Sequence, residues 1–184
     1  MSDDRRANPQ MARRRAREVL AEAGLSKAPI PVERLIKKLN IVLRHEALDD
    51  DLSGMAYIND GLSMIGINAI HHPNRQRFSA AHELGHHILH AAEITGSVHV
   101  DKGGPRVLLR DDTSSMGVDR LEIEANAFAS ELLIPKELLI VEMGGMPVDV
   151  EDDAQVEALA KKFKVSTTAM RVRLLGLLSE QLTA

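Results

Sequence analysis

The spacing of apolar and polar positions predicts a mainly helical chain with one small sheet. Apolar residues recur at the helical period over residues 9–23, 32–39, 74–91 and 119–135, and in three further stretches nearer the C-terminus. Proline or glycine stands at most ends of these stretches, as is typical of helix boundaries. The pattern therefore predicts four helices followed by three more near the C-terminus.

Three short apolar runs between the second and third helices predict strands. They cover residues 41–43, 54–58 and 62–68, and Asp60-Gly61 separates the last two. Asp-Gly between apolar runs is typical of a β-hairpin turn. We therefore expect an α+β fold in which a small antiparallel sheet of three strands packs on a helix. An edge strand of such a sheet can accept an extended peptide as one more strand.

Composition narrows the class of protein. A chain of 184 residues, 44% hydrophobic and 27% charged, is long enough for one well-packed core. It has no cysteine, which excludes disulfides and thiolate metal sites and favours the cell interior. A net charge of −4 gives no general argument for nucleic-acid binding. No apolar run approaches the length of a membrane span, so we expect a soluble cytoplasmic protein.

The strongest chemical pattern is HExxH, at His82-Glu83-Leu84-Gly85-His86 in the predicted third helix. Residues four apart lie on one face of a helix, about 6 Å apart along its axis. Two neutral imidazoles so placed can share one zinc ion, and the carboxylate can take a proton from the attacking water. The alternative is a helix that contains these histidines by chance. The apolar face that accompanies the motif at the helical period argues against this alternative.

Other histidines lie near the motif. His90 is about 12 Å along the helix axis from the first histidine, too far to share one ion with both others. We therefore expect it to be an outer hydrogen-bond partner or a packing residue. The longer motif HExxHxxGxxH is excluded, since Leu89 and Ala92 occupy its last two fixed positions. His99 and Tyr57 are candidates for assisting the transition state, although a structural role is the commoner one.

The sequence of residues 93–117 predicts a long glycine-rich connection with a strand at 106–109.

The fourth predicted helix offers two candidates for a third metal ligand. At 100° per residue, Glu122 falls at the edge of the apolar arc and Glu124 falls outside it. A carboxylate beside an apolar face needs a partner such as a metal, whereas Glu124 can face water. Glu122 is therefore favoured, with Glu124 as the alternative ligand. Asp119-x-x-Glu122 also matches a capping box, a competing structural explanation. Asn126, one turn later, can orient a ligand histidine.

Three segments resemble the ImmA/IrrE family of intracellular zinc metallopeptidases. They are Ile67-Asn68 together with residues 75–90, then residues 122–135, and then residues 159–166. The resemblance implies a gluzincin-like site. It would hold one zinc ion on His82, His86 and Glu122, with Glu83 as general acid and base. It also implies a substrate class, because members of this family resemble proteases that cleave a helix-turn-helix repressor and so derepress genes.

We expect a metallopeptidase domain of residues 1–142, followed by a C-terminal helical segment of residues 143–184. Within residues 143–184, the pattern of residues 159–174 resembles a helix-turn-helix. Arg171 and Arg173 would then be the candidates for DNA contact. This end of the chain is not strongly basic, and one helical pair is not a complete DNA-binding module. We therefore expect the pair to pack on the same domain or to grip a protein, and not to bind DNA directly.

Taken together, these patterns predict a zinc-dependent endopeptidase with a zincin-like α+β fold and further C-terminal helices. Its expected partner is a protein substrate, a helix-turn-helix repressor. The alternative is a non-catalytic regulatory protein. It would bind a repressor or DNA through its C-terminal helices and keep zinc only for stability. Glu83 argues against this alternative, because a purely structural metal site needs no base beside its ligand.

Overall fold

The structure, a computed structural model, describes residues 6–96, 98–102, 114–144 and 149–182. Within these residues the chain forms eight helices and four strands. The helices are α1 Pro9–Ala23, α2 Val32–Lys38, α3 Pro73–Leu89, α4 Ala91–Ile94, α5 Ser114–Leu133, α6 Lys136–Glu142, α7 Asp153–Phe163 and α8 Thr167–Leu182. The strands are β1 Val42–Glu46, β2 Leu52–Asn59, β3 Leu62–Asn68 and β4 Val98–Lys102. The predicted strand at 106–109 falls outside the described residues.

The sheet confirms the α+β class but differs from the predicted three antiparallel strands. Its four strands lie in the order β1-β3-β2-β4, and β1 runs parallel to β3. Strands β2 and β3 form the predicted hairpin around Asp60 and Gly61. Both turn residues have positive φ, 48° and 78°, as a type I′ turn requires. Strand β4 joins β2 in antiparallel register and was not predicted.

The buried side chain of Asn68 explains the parallel pair. Its Nδ2 donates to the carbonyl oxygens of Leu48, Asp49 and Leu52 at 3.4, 3.1 and 2.8 Å. Its Oδ1 accepts the backbone N–H of Leu48 at 3.2 Å. The connection from β1 to β2 therefore crosses the end of β3, which puts β1 beside β3 in the same direction. The local pattern of apolar residues carries no sign of this crossing.

The ends of the first helix follow from its sequence. Asn8 caps α1 by accepting the N–H of Met11 at 2.9 Å, and Pro9 occupies the first turn. Gly24 ends the helix in the left-handed conformation, with φ of 71°. Capped in this way, α1 has the predicted boundaries, and its buried side packs along α5.

Helix α5 packs between α1 and α3. Gly85 of α3 faces it so closely that a Cβ there would lie 3.2 Å from both the Cα of Ala125 and the Cδ1 of Phe128. On the other side, the N–H of Asn8 donates to the Oε1 of Glu124 at 2.8 Å. Both sides of α5 are therefore covered, which a single apolar arc does not reveal.

The C-terminal helices join the same core. Phe163 of α7 and Leu174 of α8 belong to one buried cluster with residues of α1, α3 and α5. Arg173 is only 3% exposed; it forms an ion pair with Glu131 and donates to the carbonyl of Ile134 at 3.1 Å. Arg173 therefore does not lie on the surface that the DNA-binding hypothesis requires. The domain boundary at residue 142 stays a prediction.

Candidate metal centre

The HExxH segment lies in the buried middle of α3. His82, Glu83 and His86 are each at most 3% exposed, and the Nε2 atoms of the two histidines point toward each other at 3.0 Å. Strands β2 and β3 cover one side of the helix and α5 covers another. The helix therefore holds both imidazoles in fixed positions, with their Nε2 atoms facing a common point.

Glu122 of α5 completes a group of three donors. Its carboxylate oxygens lie 3.3 Å from the Nε2 of His82 and 3.5 Å from the Nε2 of His86. Two ligands of a tetrahedral zinc ion, each about 2.1 Å from it, are about 3.4 Å apart. All three donor atoms lie within 4.8 Å of one another. Two imidazoles and one carboxylate at these separations fit a zinc or similar ion.

The start of α5 removes the competing explanation for Glu122. The helix begins at Ser114, upstream of Asp119, so Asp119 and Glu122 both lie inside it and cannot form a capping box at its start. Glu122 faces the histidines of α3 instead. The carboxylate therefore has a position that a capping role does not explain.

The two other predicted partners each contact a histidine of the motif. The Oδ1 of Asn126 is 3.1 Å from the Nδ1 of His82, and the Nδ1 of His90 is 3.2 Å from the Nδ1 of His86. A hydrogen bond at Nδ1 fixes the ring and directs the lone pair of Nε2 to a metal. Both contacts lie on the far side of the ring from Glu122.

Glu124 does not reach this group, and the expectation that it faces water is wrong. It is 2% exposed and contacts the Nε2 of His90 at 2.9 Å, in addition to the N–H of Asn8. Helix α1 covers this side of α5, which is why a residue outside the apolar arc is buried. Arg120 of the same helix lies 3.5 Å from the carboxylate.

The carboxylate of Glu83 is buried and unpaired. It is fully shielded from solvent, and neither of its oxygens has a hydrogen-bond partner among the described residues. Burial raises the pKa of Glu83 to about 8, against the opposing charge of His82. Gly54 of β2 makes room for it, because a Cβ there would lie 2.9 Å from the Oε1 of Glu83. An unpaired buried carboxylate is costly and is typical of a group that a reaction uses.

The ionisation of the three donors is strongly perturbed. Burial works against the charged form of His82, but the carboxylates of Glu122 and Glu83 outweigh it and raise the pKa of His82 to about 9. Burial lowers the pKa of His86 to about 4, and the neighbouring His82 adds to the effect. Burial opposes ionisation of Glu122, yet hydrogen bonding with His82 and the charge of that imidazole hold its pKa well below its usual range. Large opposite shifts on adjacent groups are typical of functional sites.

Strand β4 brings two further side chains to the centre. The Nε2 of His99 is 3.1 Å from Glu122, and its ring centroid is 4.1 Å from that of His86. Asp101, two residues later, has a carboxylate oxygen within 4.8 Å of donor atoms of His82 and Glu83. His99 was a weak candidate in the sequence and Asp101 was missed. The only local signal is their spacing of two, which puts both on one face of a strand.

The structure also places His87, which directly follows the motif, and the candidate Tyr57. The Nε2 of His87 is 3.0 Å from the carbonyl oxygen of Met64 on β3, so its ring faces the sheet. Tyr57 lies on β2, where it pairs with Val98 of β4. A role for Tyr57 in the transition state stays a prediction.

A groove of about 830 Å³ lies on the side of His82 that faces away from Glu122. Asn126 takes part in its lining, next to His82, and the groove continues between α3, α5 and the α7–α8 pair. Its lining includes the apolar side chains of Phe78, Leu133, Ile134, Ala160, Val165, Ala169 and Val172. Charged groups at its rim are paired, among them Lys161 with Glu157 at 2.8 Å. The groove therefore presents a largely apolar surface.

Comparison with known families agrees with this geometry. A family model of the M78 peptidases, described as the IrrE N-terminal-like domain, matches residues 36–175. The chain belongs to this family. The resemblance to the ImmA/IrrE proteins is thereby confirmed, and the M78 assignment indicates a metallopeptidase. The α+β fold is zincin-like, and its His and Glu groups are compatible with a metal ion.

One solved structure of similar fold is a transcriptional regulator of Mycobacterium tuberculosis. Its TM-score with this M78 chain is 0.57 at 15% identity, and the match covers 88% of this chain. The chain spans 45% of that protein's length, and at this identity the likeness shows the fold alone. No curated protein is significantly similar to the sequence. The helices within the described ranges all lack the combination of length and hydropathy that a membrane span requires.

Proposed function

We propose that this M78 protein is a zinc-dependent endopeptidase that cleaves a helix-turn-helix repressor. The convergence of His82, His86 and Glu122 beside an unpaired buried Glu83 carries the proposal. Three donors on two packed helices, with a base beside them, form the arrangement expected of a catalytic rather than a structural zinc site. We propose one zinc ion per chain.

The three donors would hold the ion through two imidazole nitrogens and one carboxylate. When bound, zinc supplies Lewis-acid polarisation of the scissile carbonyl and lowers the pKa of water. Asn126 and His90 keep the two imidazoles oriented through their Nδ1 atoms. Neither ring can then turn its Nε2 away from the centre without losing a hydrogen bond.

Glu83 is the proposed general base and acid. Its carboxylate takes a proton as water forms the new C–O bond, and passes that proton to the amine nitrogen as the C–N bond breaks. Its raised pKa of about 8 lies near neutral pH, where a group can both accept and return a proton. Gly54 leaves space for the carboxylate against β2, so its position is fixed by the sheet.

The proposed substrate is an extended peptide segment of a repressor. Strand β4 pairs with β2 on one side only within the described sheet, and its His99 and Asp101 face the centre. A peptide added along such an edge gains main-chain hydrogen bonds. The repressor itself rests on the family resemblance, and the name of the similar M. tuberculosis protein agrees with a role in transcription. A repressor substrate would also put this protein in the cytoplasm.

A non-catalytic regulatory protein is the second candidate, favoured by that same name of a transcriptional regulator. Such a protein would bind a repressor through α7 and α8 and need zinc only for stability. Its activity would survive loss of Glu83, because this carboxylate has no hydrogen-bond partner among the described residues. A single substitution at Glu83 therefore distinguishes the two functions.

Glu83→Gln is the deciding variant. It should keep one zinc per chain and lower cleavage of a repressor by about 10²–10⁴-fold, the usual range for a general acid–base residue. Candidate repressors from the same genome are incubated with the zinc-loaded protein, and cleavage products are identified by mass spectrometry. Glu137→Gln, at an exposed position on α6, is the control and should cleave normally. Full activity of Glu83→Gln in repressor regulation, with no cut repressor, would establish the binding protein instead.

A further inference from the structure

A buried chain of hydrogen bonds leads from His86 away from the proposed metal. The Nδ1 of His86 lies 3.2 Å from the Nδ1 of His90, and the Nε2 of His90 lies 2.9 Å from an oxygen of Glu124. All three residues are at most 2% exposed. The other oxygen of Glu124 accepts the N–H of Asn8 at 2.8 Å. This series of hydrogen bonds therefore links α3 and α5 to the first turn of α1.

The carboxylate of Glu124, at the end of this series of hydrogen bonds, determines which atom donates in each of them. A carboxylate only accepts hydrogen bonds, so the Nε2 of His90 must carry the proton that points to Glu124. In a neutral imidazole the other nitrogen then has no proton, and the Nδ1 of His90 accepts. The Nδ1 of His86 must therefore donate, which leaves the Nε2 of His86 as a bare lone pair. That is the form of histidine that binds a metal.

His82, the other proposed ligand histidine, is oriented by a different contact. The Nδ1 of His82 reaches the amide oxygen of Asn126 directly, and Asn126 is exposed. His86 instead depends on two buried residues in succession. His90 lies four residues after His86, where α3 ends, and it has left the helical conformation, with ψ of 23°.

Arg120 does not account for the position of Glu124. Its Nη1 is 3.5 Å from the carboxylate, farther than His90 and Asn8, and its Nη2 lies 3.2 Å from Glu93. The shortest contacts of Glu124 are thus with one ring nitrogen and one backbone N–H. Both contacts require an acceptor, and a carboxylate provides one oxygen for each.

We propose that Glu124 is a positioning residue that acts through His90 to hold His86 in its metal-binding tautomer. This rests on the proposed metal site and adds a residue to its machinery. Glu124 does not touch the ion or the substrate. Its effect reaches the centre only through His90, and the N-terminal cap of α1 holds it in place.

Glu124→Gln tests this role without changing the size of the side chain. The amide has one oxygen where the carboxylate has two, so its NH₂ must face either Asn8 or His90, both of which donate. We expect the affinity for Zn²⁺, measured by competition with a chelator, to fall about 10–100-fold, as for other residues that orient ligands. Glu93→Gln removes the other carboxylate near Arg120 and should leave the affinity unchanged. Thermal unfolding of the metal-free variants checks that they are folded.

Two further measurements separate positioning from other roles. Co²⁺-loaded Glu124→Gln should show the absorption spectrum of the wild type. Glu122→Ala should change the spectrum, because Glu122 is the proposed ligand of the two glutamates. In a double-mutant cycle, Glu124→Gln should have no additional effect on affinity once His90→Ala is present. A changed spectrum would make Glu124 a ligand, and additive effects would mean that it does not act through His90; either result overturns the proposal.

The wild-type protein supplies a test that needs no variant. Nitrogen-15 NMR of the metal-free protein should show a proton on the Nδ1 of His86 and on the Nε2 of His90. A proton on the Nε2 of His86 in place of its Nδ1 overturns the proposal. Wild-type protein that binds neither Zn²⁺ nor Co²⁺ would refute the proposed function itself. Normal metal binding with an unaffected Glu124→Gln would refute only the positioning role.

Discussion

Glu83 and Gly54 show how closely a single residue can be matched to its neighbour. The Glu83 carboxylate lies against the backbone of β2, at the one position of that strand where a missing Cβ leaves room for it. Asp101 pairs with Gly54 in the sheet, and one of its carboxylate oxygens lies within 4.8 Å of an oxygen of Glu83. The position of the proposed base is therefore set by a strand that is distant from it in sequence.

Gly54→Ala should displace Glu83 and spare the metal ligands. The new Cβ would lie 2.9 Å from the Oε1 and 3.0 Å from the Cγ of Glu83, so the carboxylate must move. Misplacement by about 1 Å can cost about 10²-fold in rate, and we expect a loss of cleavage of that order. Zinc content should remain that of the wild type.

Gly66→Ala is the matched control for this prediction. Gly66 lies on the neighbouring strand, and a Cβ there would meet the side chain of Met55 at 2.9 Å rather than Glu83. Peptide cleavage and metal content are measured for both variants. Equal activity of the two would show that crowding at Gly54 does not disturb the base.

The sequence predicted residues that share a local motif and missed those joined by distant pairing. His82, Glu83 and His86 are recognised because one helix turn brings them together. His99 was only a weak candidate and Asp101 was not found, because β4 carries no motif and reaches the centre only by pairing with β2. Glu124 was misjudged because a helical arc assumes one buried side, and α5 has two.

At the scale of elements, the centre depends on the close approach of α3 and α5. Gly85 lies in the middle of HExxH, and Ala125 lies opposite it between Glu122 and Asn126. Small residues on both helices let the backbones come together, so that the histidines of one helix meet the carboxylate of the other. The sequence predicted both helices, but it gave no measure of the distance between them.

Gly85→Val should separate the two helices. Its side chain has no space against Ala125 and Phe128, and overpacking of this kind costs about 1–3 kcal/mol of unfolding free energy. Zinc affinity should fall with it, since Glu122 would move away from both histidines. Gly176→Val on α8, where no atom lies within 4 Å of an added Cβ, serves as the control for the change in helix propensity. Denaturant unfolding that gives the same loss for both variants would contradict the close-packing explanation.

For the whole molecule, the helix-turn-helix-like pair is part of the core. Arg173 connects α8 to α5 through Glu131, and Arg17 of α1 lies 3.4 Å from the same carboxylate. The pattern of residues 159–174 predicted both helices of the pair, but not that one arginine would be buried. Long-range ion pairs depend on how helices pack, which local periodicity does not encode.

Arg173→Ala should destabilise the entire chain. It removes one partner of a buried carboxylate, which costs about 3 kcal/mol even with Arg17 nearby. Urea unfolding followed by circular dichroism should show a single transition at a lower midpoint. Arg171→Ala, at the exposed ion pair with Asp153, should shift the midpoint far less. Two separate transitions in the wild type would instead support an independent C-terminal unit.

The groove beside Asn126 has a practical consequence for pharmacology. Asn126 contacts the Nδ1 of His82 and also takes part in the groove lining, so the groove adjoins the side of His82 that faces away from Glu122. A compound that fills the groove and displaces the Asn126 side chain would remove the hydrogen bond that orients His82. Such a compound would inhibit without a metal-chelating group, and its selectivity would come from the apolar lining of the groove.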